Sequence, residues 1–130
     1  MKTEALVACF VVAASAPALG YDTERTRAYF GRELAECGAW YALVAEAPGL
    51  DEITRIRFRA VSTSLVSTSA DLTSERWALT QMDIAKKTIW REMDGSWKNY
   101  PTVDRKYGQV CRDVATDPVA RRKYWLDKHD

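Results

Sequence analysis

Apolar side chains recur along this chain at the three- and four-residue spacing of amphipathic helices. The first such stripe consists of Tyr29, Phe30, Leu34, Cys37, Tyr41 and Val44. Asp22 or Thr23 is placed to cap this helix, and Pro48-Gly49 is a helix-stop signal. The pattern therefore predicts one long helix that ends before Pro48.

A second helix is predicted from about Leu50, with Asp51 and Glu52 in its first turn, where acidic groups favour the positive end of the helix dipole. Its predicted buried stripe consists of Ile53, Ile56, Ala60, Val61, Ser64 and Leu65. The segment from Ser62 to Ser69 is rich in hydroxyl groups, which compete for backbone hydrogen bonds. We therefore expect this helix to weaken within that segment.

The third helix has the clearest start and end signals. Thr73 is the expected N-cap, and Leu72 and Trp77 are spaced as a hydrophobic staple pair. Its stripe consists of Ala78, Met82, Ala85, Ile89 and Met93. Asp94-Gly95 follows, with glycine in the position that commonly ends a helix.

Two shorter helices are predicted beyond a connector that carries Trp97 and Tyr100. The first runs from about Thr102, and its apolar positions are Val103, Tyr107, Val110, Cys111 and Val114. The second follows the Asp117-Pro118 start signal, and its core positions are Val119, Arg122, Trp125 and Leu126. Arg55, Arg57 and Arg59 alternate as on a strand, but the flanking spacing of Ile53, Ile56 and Ala60 favours a helix there. The sequence predicts an all-α fold, a small antiparallel bundle of about four to five helices.

The N-terminal segment is typical of a secretory signal peptide. A lysine at position 2 precedes an apolar run over residues 5–14, which is followed by small residues and Pro17. Cleavage after Ala18 and cleavage after Gly20 both fit, so the expected domains are a signal peptide over 1–20 and one helical domain over 21–130. The apolar run is short for a membrane anchor. An uncleaved anchor and lipidation at Cys9 are the alternatives.

The charge composition and the lengths of the apolar runs disfavour two classes of protein, nucleic-acid-binding and membrane-spanning. The 130 residues carry 19 basic and 18 acidic side chains, and removal of residues 1–20 leaves the net charge at +1. A nucleic-acid-binding protein of this size would show a strong basic excess. No stretch after the N-terminal segment reaches membrane-spanning length. We therefore expect a periplasmic or secreted protein without a nucleic-acid partner and without a membrane span after cleavage.

Two cysteines remain after the signal segment, Cys37 and Cys111. An even pair in an exported chain favours a disulfide over metal or redox chemistry. Such a bond would clamp the first long helix to a late helix. Because the enclosed segment is long, loop-closure entropy gives a stabilisation of roughly 4 kcal/mol.

Sequence motifs for catalysis or cofactor binding are absent. His129, the only histidine, lies next to the C-terminus, and neither a Cys-x-x-Cys pair nor a glycine-rich phosphate loop occurs. We expect no metal site, no cofactor and no catalytic residue. Three glutamates would serve a carboxylate-dependent enzyme if they shared a cleft: Glu33, Glu36 and Glu92. Three arginines would serve an anion site: Arg55, Arg57 and Arg59. For both groups, a solvated helix face is the commoner role.

Aromatic residues give the candidate contact site. The chain has five tryptophans and six tyrosines. Trp97 and Tyr100 lie on the predicted connector, and Trp90 lies on the flank of the third stripe. Tryptophan and tyrosine are favoured anchors at interfaces, and connectors often carry function. These three residues are the candidate partner-binding residues, although aromatic residues on a connector also fold back over a small core. Tyr124-Trp125 is a second patch of the same kind.

Three segments together carry a family resemblance: Glu36 to Tyr41, Lys106 to Cys111, and Asp117-Pro118 with Tyr124-Trp125. They resemble small exported all-helical proteins of proteobacteria, which have a Glu-Cys-x-Ala-aromatic helix and a late Tyr-Gly-x-x-Cys segment. The resemblance implies export and a Cys37–Cys111 pairing, and implies no activity. Gly38 departs from it where alanine is commoner, which indicates a close helix crossing.

These observations predict a small exported helical protein that acts by binding rather than by catalysis. Its expected partner is another protein or an envelope component. A periplasmic stress chaperone, a toxin inhibitor or immunity protein, and a carboxylate-dependent enzyme are the alternative functions.

Overall fold

The computed structural model describes residues 24–129, and every regular element in that range is helical. The predicted all-α bundle is confirmed. The main helices are α1 (24–44), α2 (Glu52–Leu72), α3 (Glu75–Glu92), α4 (Tyr100–Val103), α5 (Gln109–Thr116) and α6 (Pro118–His129). A 3-10 turn over Trp97–Asn99 precedes α4, and a π-helical turn over Asp104–Gly108 joins α4 to α5. The predicted signal peptide, its cleavage sites, Cys9, and the cap at Asp22 or Thr23 lie outside the described residues.

Helix α1 is the central element of the bundle. Its second half is buried on nearly all sides, and its buried apolar residues include Phe30, Leu34, Ala35, Cys37, Ala39, Trp40, Tyr41 and Leu43. The predicted first stripe is therefore confirmed except at Tyr29, which is 51% exposed. Tyr29 instead stacks on Trp125 of α6, with ring centroids 5.6 Å apart. The other helices pack around α1.

The predicted disulfide is confirmed. Cys37 of α1 and Cys111 of α5 are bonded, with Cα atoms 5.1 Å apart across a sequence separation of 74 residues. Both cysteines are buried. The bond therefore fixes α5 against the middle of the central helix.

A close crossing joins α1 to α2. The hydroxyl of Ser62 donates to the carbonyl of Gly38 at 2.7 Å, and the hydroxyl of Ser69 donates to the carbonyl of Gly31 at 2.6 Å. The two glycines and the two serines are each seven residues apart, or about two helical turns. A Cβ added at Gly38 would lie 2.5 Å from Cγ2 of Val66. The crossing predicted at Gly38 is confirmed, and the antiparallel pairing extends it to Gly31.

The buried face of α2 differs from the predicted one. Ile53 and Ile56 are 65% and 56% exposed, and Ala60 and Ser64 are exposed as well. Leu65 is buried as predicted, but the other buried residues of α2 are Ser62 and Ser69. The two serines face inward because their hydroxyls reach the carbonyls of α1. These two hydrogen bonds set the rotation of α2 about its own axis, and this rotation leaves the two isoleucines in solvent.

The expected weakening of α2 is also wrong, since the helix continues to Leu72. Thr63, Thr68 and Thr73 each donate a hydroxyl hydrogen bond to the carbonyl four residues earlier, at 2.7 to 3.0 Å. These bonds are made beside the helical hydrogen bonds and do not replace them. The hydroxyl groups are therefore accommodated inside a regular helix.

Of the two predicted N-caps of α3 and α6, one is correct. Asp117 accepts a hydrogen bond from the amide of Ala120 at 3.0 Å, which confirms the predicted cap of α6. The cap of α3 is Ser74, which accepts from the amide of Trp77 at 3.1 Å, and not Thr73. Thr73 instead ends α2, where its backbone amide and its hydroxyl both donate to the carbonyl of Ser69.

Asp51 lies just before α2 and caps it, where the sequence placed it in the first turn. Its carboxylate accepts from the amide and the hydroxyl of Thr54, at 2.8 and 2.9 Å. The bond from the backbone amide of Thr54 lowers the pKa of Asp51 below its ordinary value.

Helix α3 and its end follow the prediction. Ala78, Ile89 and Met93 are buried, and Met82 and Ala85 pack against the core. After α3, the amide of Asp94 donates to the carbonyl of Arg91, and the amide of Gly95 donates to the carbonyl of Trp90. These two bonds form a Schellman motif in which Asp94 and Gly95 both have positive φ, 52° and 64°.

The late helices differ from the prediction in two respects. The predicted connector is itself helical, because the 3-10 turn starts at Trp97 and α4 starts at Tyr100 instead of Thr102. Val103, Cys111 and Val114 are buried as predicted, but Val110 and Val119 are 38% and 77% exposed. Within residues 24–129, no helix combines the length and the apolar character that a bilayer crossing requires.

Candidate functional site

A row of aromatic rings runs from the centre of the bundle to its surface. Buried Trp40 stacks on Tyr100 and Tyr107, with ring centroids 5.7 and 6.2 Å apart. Tyr100 contacts Trp97 at 6.3 Å, and Trp97 meets Trp90 edge to face at 5.8 Å. The structure therefore brings all three predicted contact residues into one cluster, although they come from three different elements.

The outer end of this row opens into a groove of about 380 Å³. We call it the tryptophan groove, and it is lined by Leu43, Glu46, Asp83, Lys86, Lys87, Trp90 and Trp97. Trp90 is the more exposed indole, at 37%, whereas Trp97 is half-buried against the core. Tyr100 does not line the groove, because it is packed between Trp97 and Trp40. Trp90 and Trp97 are thus the candidate contacts, and Tyr100 supports them.

The turn after α3 positions both indoles. Gly95 lies directly against Trp90, since a Cβ at Gly95 would be 3.6 Å from the indole nitrogen. Ser96 caps the 3-10 turn that carries Trp97, accepting from the amide of Lys98 at 3.3 Å. The side-chain amide of Asn99 donates to the carbonyl of Met93 at 2.8 Å, which ties this turn to the end of α3. The groove is therefore built on a segment that is fixed by its own hydrogen bonds.

The charges around the tryptophan groove are paired and balanced. Nζ of Lys86 lies 2.6 Å from Oε1 of Glu46, joining α3 to the turn after α1. Nζ of Lys87 lies 3.0 Å from Oδ2 of Asp83. The groove thus presents apolar indole surface, with buried Leu43 beneath it, inside a polar rim without net charge.

The three predicted glutamates do not share one site. Glu33 binds Arg121 through two hydrogen bonds of 2.5 and 2.8 Å, and also accepts from the indole nitrogen of Trp125 at 3.3 Å. Glu36 pairs with Arg32 at 3.2 Å on the same helix. Each of these carboxylates therefore has a guanidinium partner.

Glu92 does meet Glu36 in a second cleft, on another face of α3. We call this the glutamate cleft, and its polar residues are Arg32, Glu36, Gln81, Thr88, Glu92, Lys106 and Tyr107. Nζ of Lys106 and the hydroxyl of Tyr107 both lie 2.9 Å from Oε1 of Glu92. Two of the three predicted carboxylates are therefore brought together, with cations beside them.

Glu92 raises the pKa of both side chains that donate to it in the glutamate cleft. Burial, and then the hydrogen bond to Glu92, raise the pKa of the Tyr107 phenol. The hydrogen bond to Glu92 raises the pKa of Lys106. At neutral pH the phenol is therefore neutral and the lysine charged, so both groups act as hydrogen-bond donors to Glu92. Among the described residues, no group of three His, Cys, Asp or Glu side chains is arranged to hold a metal ion.

Arg59, one of the three arginines of α2, lines a hollow next to the tryptophan groove together with Glu46 and Lys86. Arg57 and Arg59 are exposed, and Arg55 is half-buried. None of them lines the tryptophan groove or the glutamate cleft.

Several residues of the tryptophan groove were missed from the sequence. Lys86 and Lys87 lie at three- and four-residue spacing from Asp83 and from the predicted Trp90, so the helical pattern of α3 already places them on one face. Leu43 and Glu46 carry no such signal, because the packing of α1 against α3 brings them to the groove.

Comparisons with known proteins add no relative: no family model matches the chain, and no curated protein or solved structure matches it significantly. The resemblance to small exported proteobacterial proteins therefore stays a prediction.

Proposed function

We propose that this is a small exported binding protein whose contact site is the tryptophan groove and whose partner is another protein. The convergence of Trp90 and Trp97 at a surface groove is the observation that carries the proposal. A buried disulfide supports export, because such bonds persist in oxidising compartments. The proposed location is the periplasm or the exterior of the cell.

The composition of the groove favours a protein partner. Tryptophan is enriched among the residues that dominate binding energy, particularly where apolar centres are surrounded by polar rims. Here the two indoles and Leu43 form the apolar centre, and the Lys86–Glu46 and Lys87–Asp83 pairs form the rim. We propose that the partner inserts an apolar side chain between these two ion pairs and against the indole of Trp90.

Site-specific crosslinking tests this proposal. A photo-reactive residue replaces exposed Lys87 on the rim, and crosslinks are collected from the intact cell envelope with and without Trp90→Ala. We expect one discrete partner protein, and we expect Trp90→Ala to reduce its yield at least tenfold, since truncating a central aromatic anchor commonly costs about 2 kcal/mol or more.

The matched control is Tyr124→Ala, which removes an aromatic side chain of similar exposure, 44%, on the distant helix α6. Its crosslink yield should equal that of the unsubstituted protein. An equal yield in Trp90→Ala and Tyr124→Ala would refute the groove as the contact site. Crosslinks to glycan alone would replace the protein partner with an envelope polysaccharide, and a protein retained in the cytoplasm would refute export.

A further inference from the structure

The glutamate cleft is a second, separate cavity of about 320 Å³. It lies between α1, α3 and the π-helical turn. Residues 81, 84, 85, 88 and 92 of α3 line it, whereas residues 83, 86, 87 and 90 line the tryptophan groove. Its volume lies at the lower end of the range of about 300–1,000 Å³ that small-molecule sites occupy. The cleft therefore has the size of a small-metabolite site.

The π-helical turn shapes one wall of this cleft. It carries Lys106 and Tyr107, two consecutive residues whose side chains both reach Oε1 of Glu92. Consecutive residues of a regular α-helix point about 100° apart, and single π turns frequently occur at functional sites. The ring of Tyr107 is also held by its stacking on Trp40. The turn thus fixes one oxygen of Glu92 from two sides.

The other oxygen of Glu92 has no donor among the described residues, since the bonds from Lys106 and Tyr107 both end on Oε1. Arg32, across the cleft, donates only its Nε, to Glu36 at 3.2 Å. Within the described part of the chain, its two terminal nitrogens make no hydrogen bond. The cleft therefore offers one carboxylate oxygen and one guanidinium edge to a ligand.

The α3 wall of the cleft also has an apolar part, between Gln81 and Thr88. Ile84, 51% exposed, and Ala85 lie beside the charged groups. Two acids, Glu36 and Glu92, are balanced by two bases, Arg32 and Lys106. This balance disfavours a ligand with a large net charge, because either sign would meet as much repulsion as attraction.

We propose that the glutamate cleft binds a free α-amino acid with an aliphatic side chain. The ligand's ammonium group donates to the unoccupied oxygen of Glu92, its carboxylate accepts from the terminal nitrogens of Arg32, and its side chain packs on Ile84. Lys106 and Tyr107 hold Glu92 in place. The cleft and the tryptophan groove share no lining residue, so either proposal can be refuted without affecting the other.

Titration with L-leucine tests the site, using the purified protein with its disulfide intact. Binding is measured by calorimetry, and the amide shifts of the protein locate the site. We expect leucine to shift amides around Glu92 and Ile84. Leucinamide lacks the carboxylate and 4-methylpentanoate lacks the ammonium group, so each should bind at least about tenfold more weakly, a loss of one charged contact.

Substitutions then assign the contacts. Glu92→Gln and Arg32→Gln should each weaken leucine binding at least about tenfold. Glu46→Gln, which removes a paired carboxylate in the tryptophan groove, is the matched control and should leave leucine binding unchanged. The analogue series needs no substitution, so it decides the question even if a variant unfolds.

Several results would overturn the proposal. They are an absence of leucine binding up to about 10 mM, equal binding of leucine and both analogues, and amide shifts confined to the tryptophan groove. Unchanged affinity in folded Glu92→Gln would also overturn it.

Discussion

At the residue scale, Gly38 sets the distance between the two longest helices. Its carbonyl accepts from Ser62, and a Cβ at this position would lie 2.5 Å from Cγ2 of Val66 and 3.3 Å from the backbone oxygen of Ser62. The side chain of Val66 has some freedom to move, but the backbone of Ser62 is part of α2. Helix propensity therefore predicts that alanine at position 38 stabilises the protein, whereas packing predicts that it destabilises the protein.

We expect Gly38→Ala to lower the free energy of unfolding by about 1–3 kcal/mol, the usual cost of overpacking a tight contact. Helix propensity alone would instead raise it by about 1 kcal/mol. Denaturant unfolding of the oxidised protein measures the sign directly.

The control is the double variant Gly38→Ala with Val66→Ala, which removes the closest clash. Its loss of stability should be smaller than the sum of the two single losses, because the second substitution makes room for the first. A stabilised Gly38→Ala protein would contradict the close crossing.

At the scale of helices, α2 shows what the sequence could and could not predict. Its existence and start follow from local signals near Asp51, and these were read nearly correctly. The prediction of its buried face was wrong because apolar patterning assumes that hydroxyl groups point to water. Ser62 and Ser69 point inward, since each satisfies its hydroxyl on a carbonyl of α1. That partner is visible only once the two helices are placed together.

The candidate sites, like α2, could be predicted from the sequence only in part. Trp90 and Trp97 were found from residue type and position, and their contact with each other was not. The glutamate cleft depends on a π-helical turn that brings Lys106 and Tyr107 onto one oxygen of Glu92. A π turn inserts an extra residue into a helix without a composition signal, so periodicity does not reveal it.

Helix α6 is attached to α1 by one half-buried ion pair and one aromatic stack. The side chains of Glu33 and Arg121 are only 12% and 25% exposed, and two hydrogen bonds join them. The indole of Trp125 donates to the same carboxylate and stacks on Tyr29. Because α6 has otherwise little buried surface, Glu33 is its main polar anchor.

We expect Glu33→Gln to loosen α6 selectively, because Arg121 then keeps its charge without a carboxylate beside it. The free energy of opening for α6 amides should fall by about 1–3 kcal/mol, less than for a fully buried pair. Native-state hydrogen exchange measures this, residue by residue. The amides of α2 should change less than those of α6.

The matched control is Asp83→Asn, which breaks the exposed pair with Lys87. Such surface pairs contribute about 0–1 kcal/mol, so amide protection should stay nearly constant. Equal loss of protection in α2 and α6 of Glu33→Gln would show that α6 is not a separately attached unit.

At the scale of the whole molecule, the other helices depend on α1 through contacts of different kinds. The disulfide joins it to α5, serine–carbonyl bonds join it to α2, and the aromatic row joins it to α4 and the turn before it. The disulfide alone contributes roughly 4 kcal/mol by loop-closure entropy, a large share of the 5–15 kcal/mol typical of a small domain. A single rigid helix thus positions the tryptophan groove and the glutamate cleft on opposite sides of α3.

Three tyrosines of this packed centre share one electrostatic property. Burial, as the largest cause, raises the pKa of Tyr41, Tyr100 and Tyr107 above the ordinary value of 10.0. For Tyr100 and Tyr107, a neighbouring carboxylate raises the pKa further. A raised pKa means that the unfolded chain ionises first, so these groups stabilise the folded state fully below the unfolded pKa. That stability is lost as the pH rises through the folded pKa values.

We therefore expect the free energy of unfolding to be level near neutral pH and to fall above about pH 10. Denaturant midpoints measured across this range, together with tyrosinate absorbance, check whether ionisation and unfolding coincide. Tyr107→Phe is the control, because phenylalanine keeps the stacking on Trp40 and cannot ionise; its stability should fall less steeply with pH. Titration of Tyr100 and Tyr107 at the ordinary tyrosine pKa, in a protein that stays folded, would show that the aromatic row is open to water.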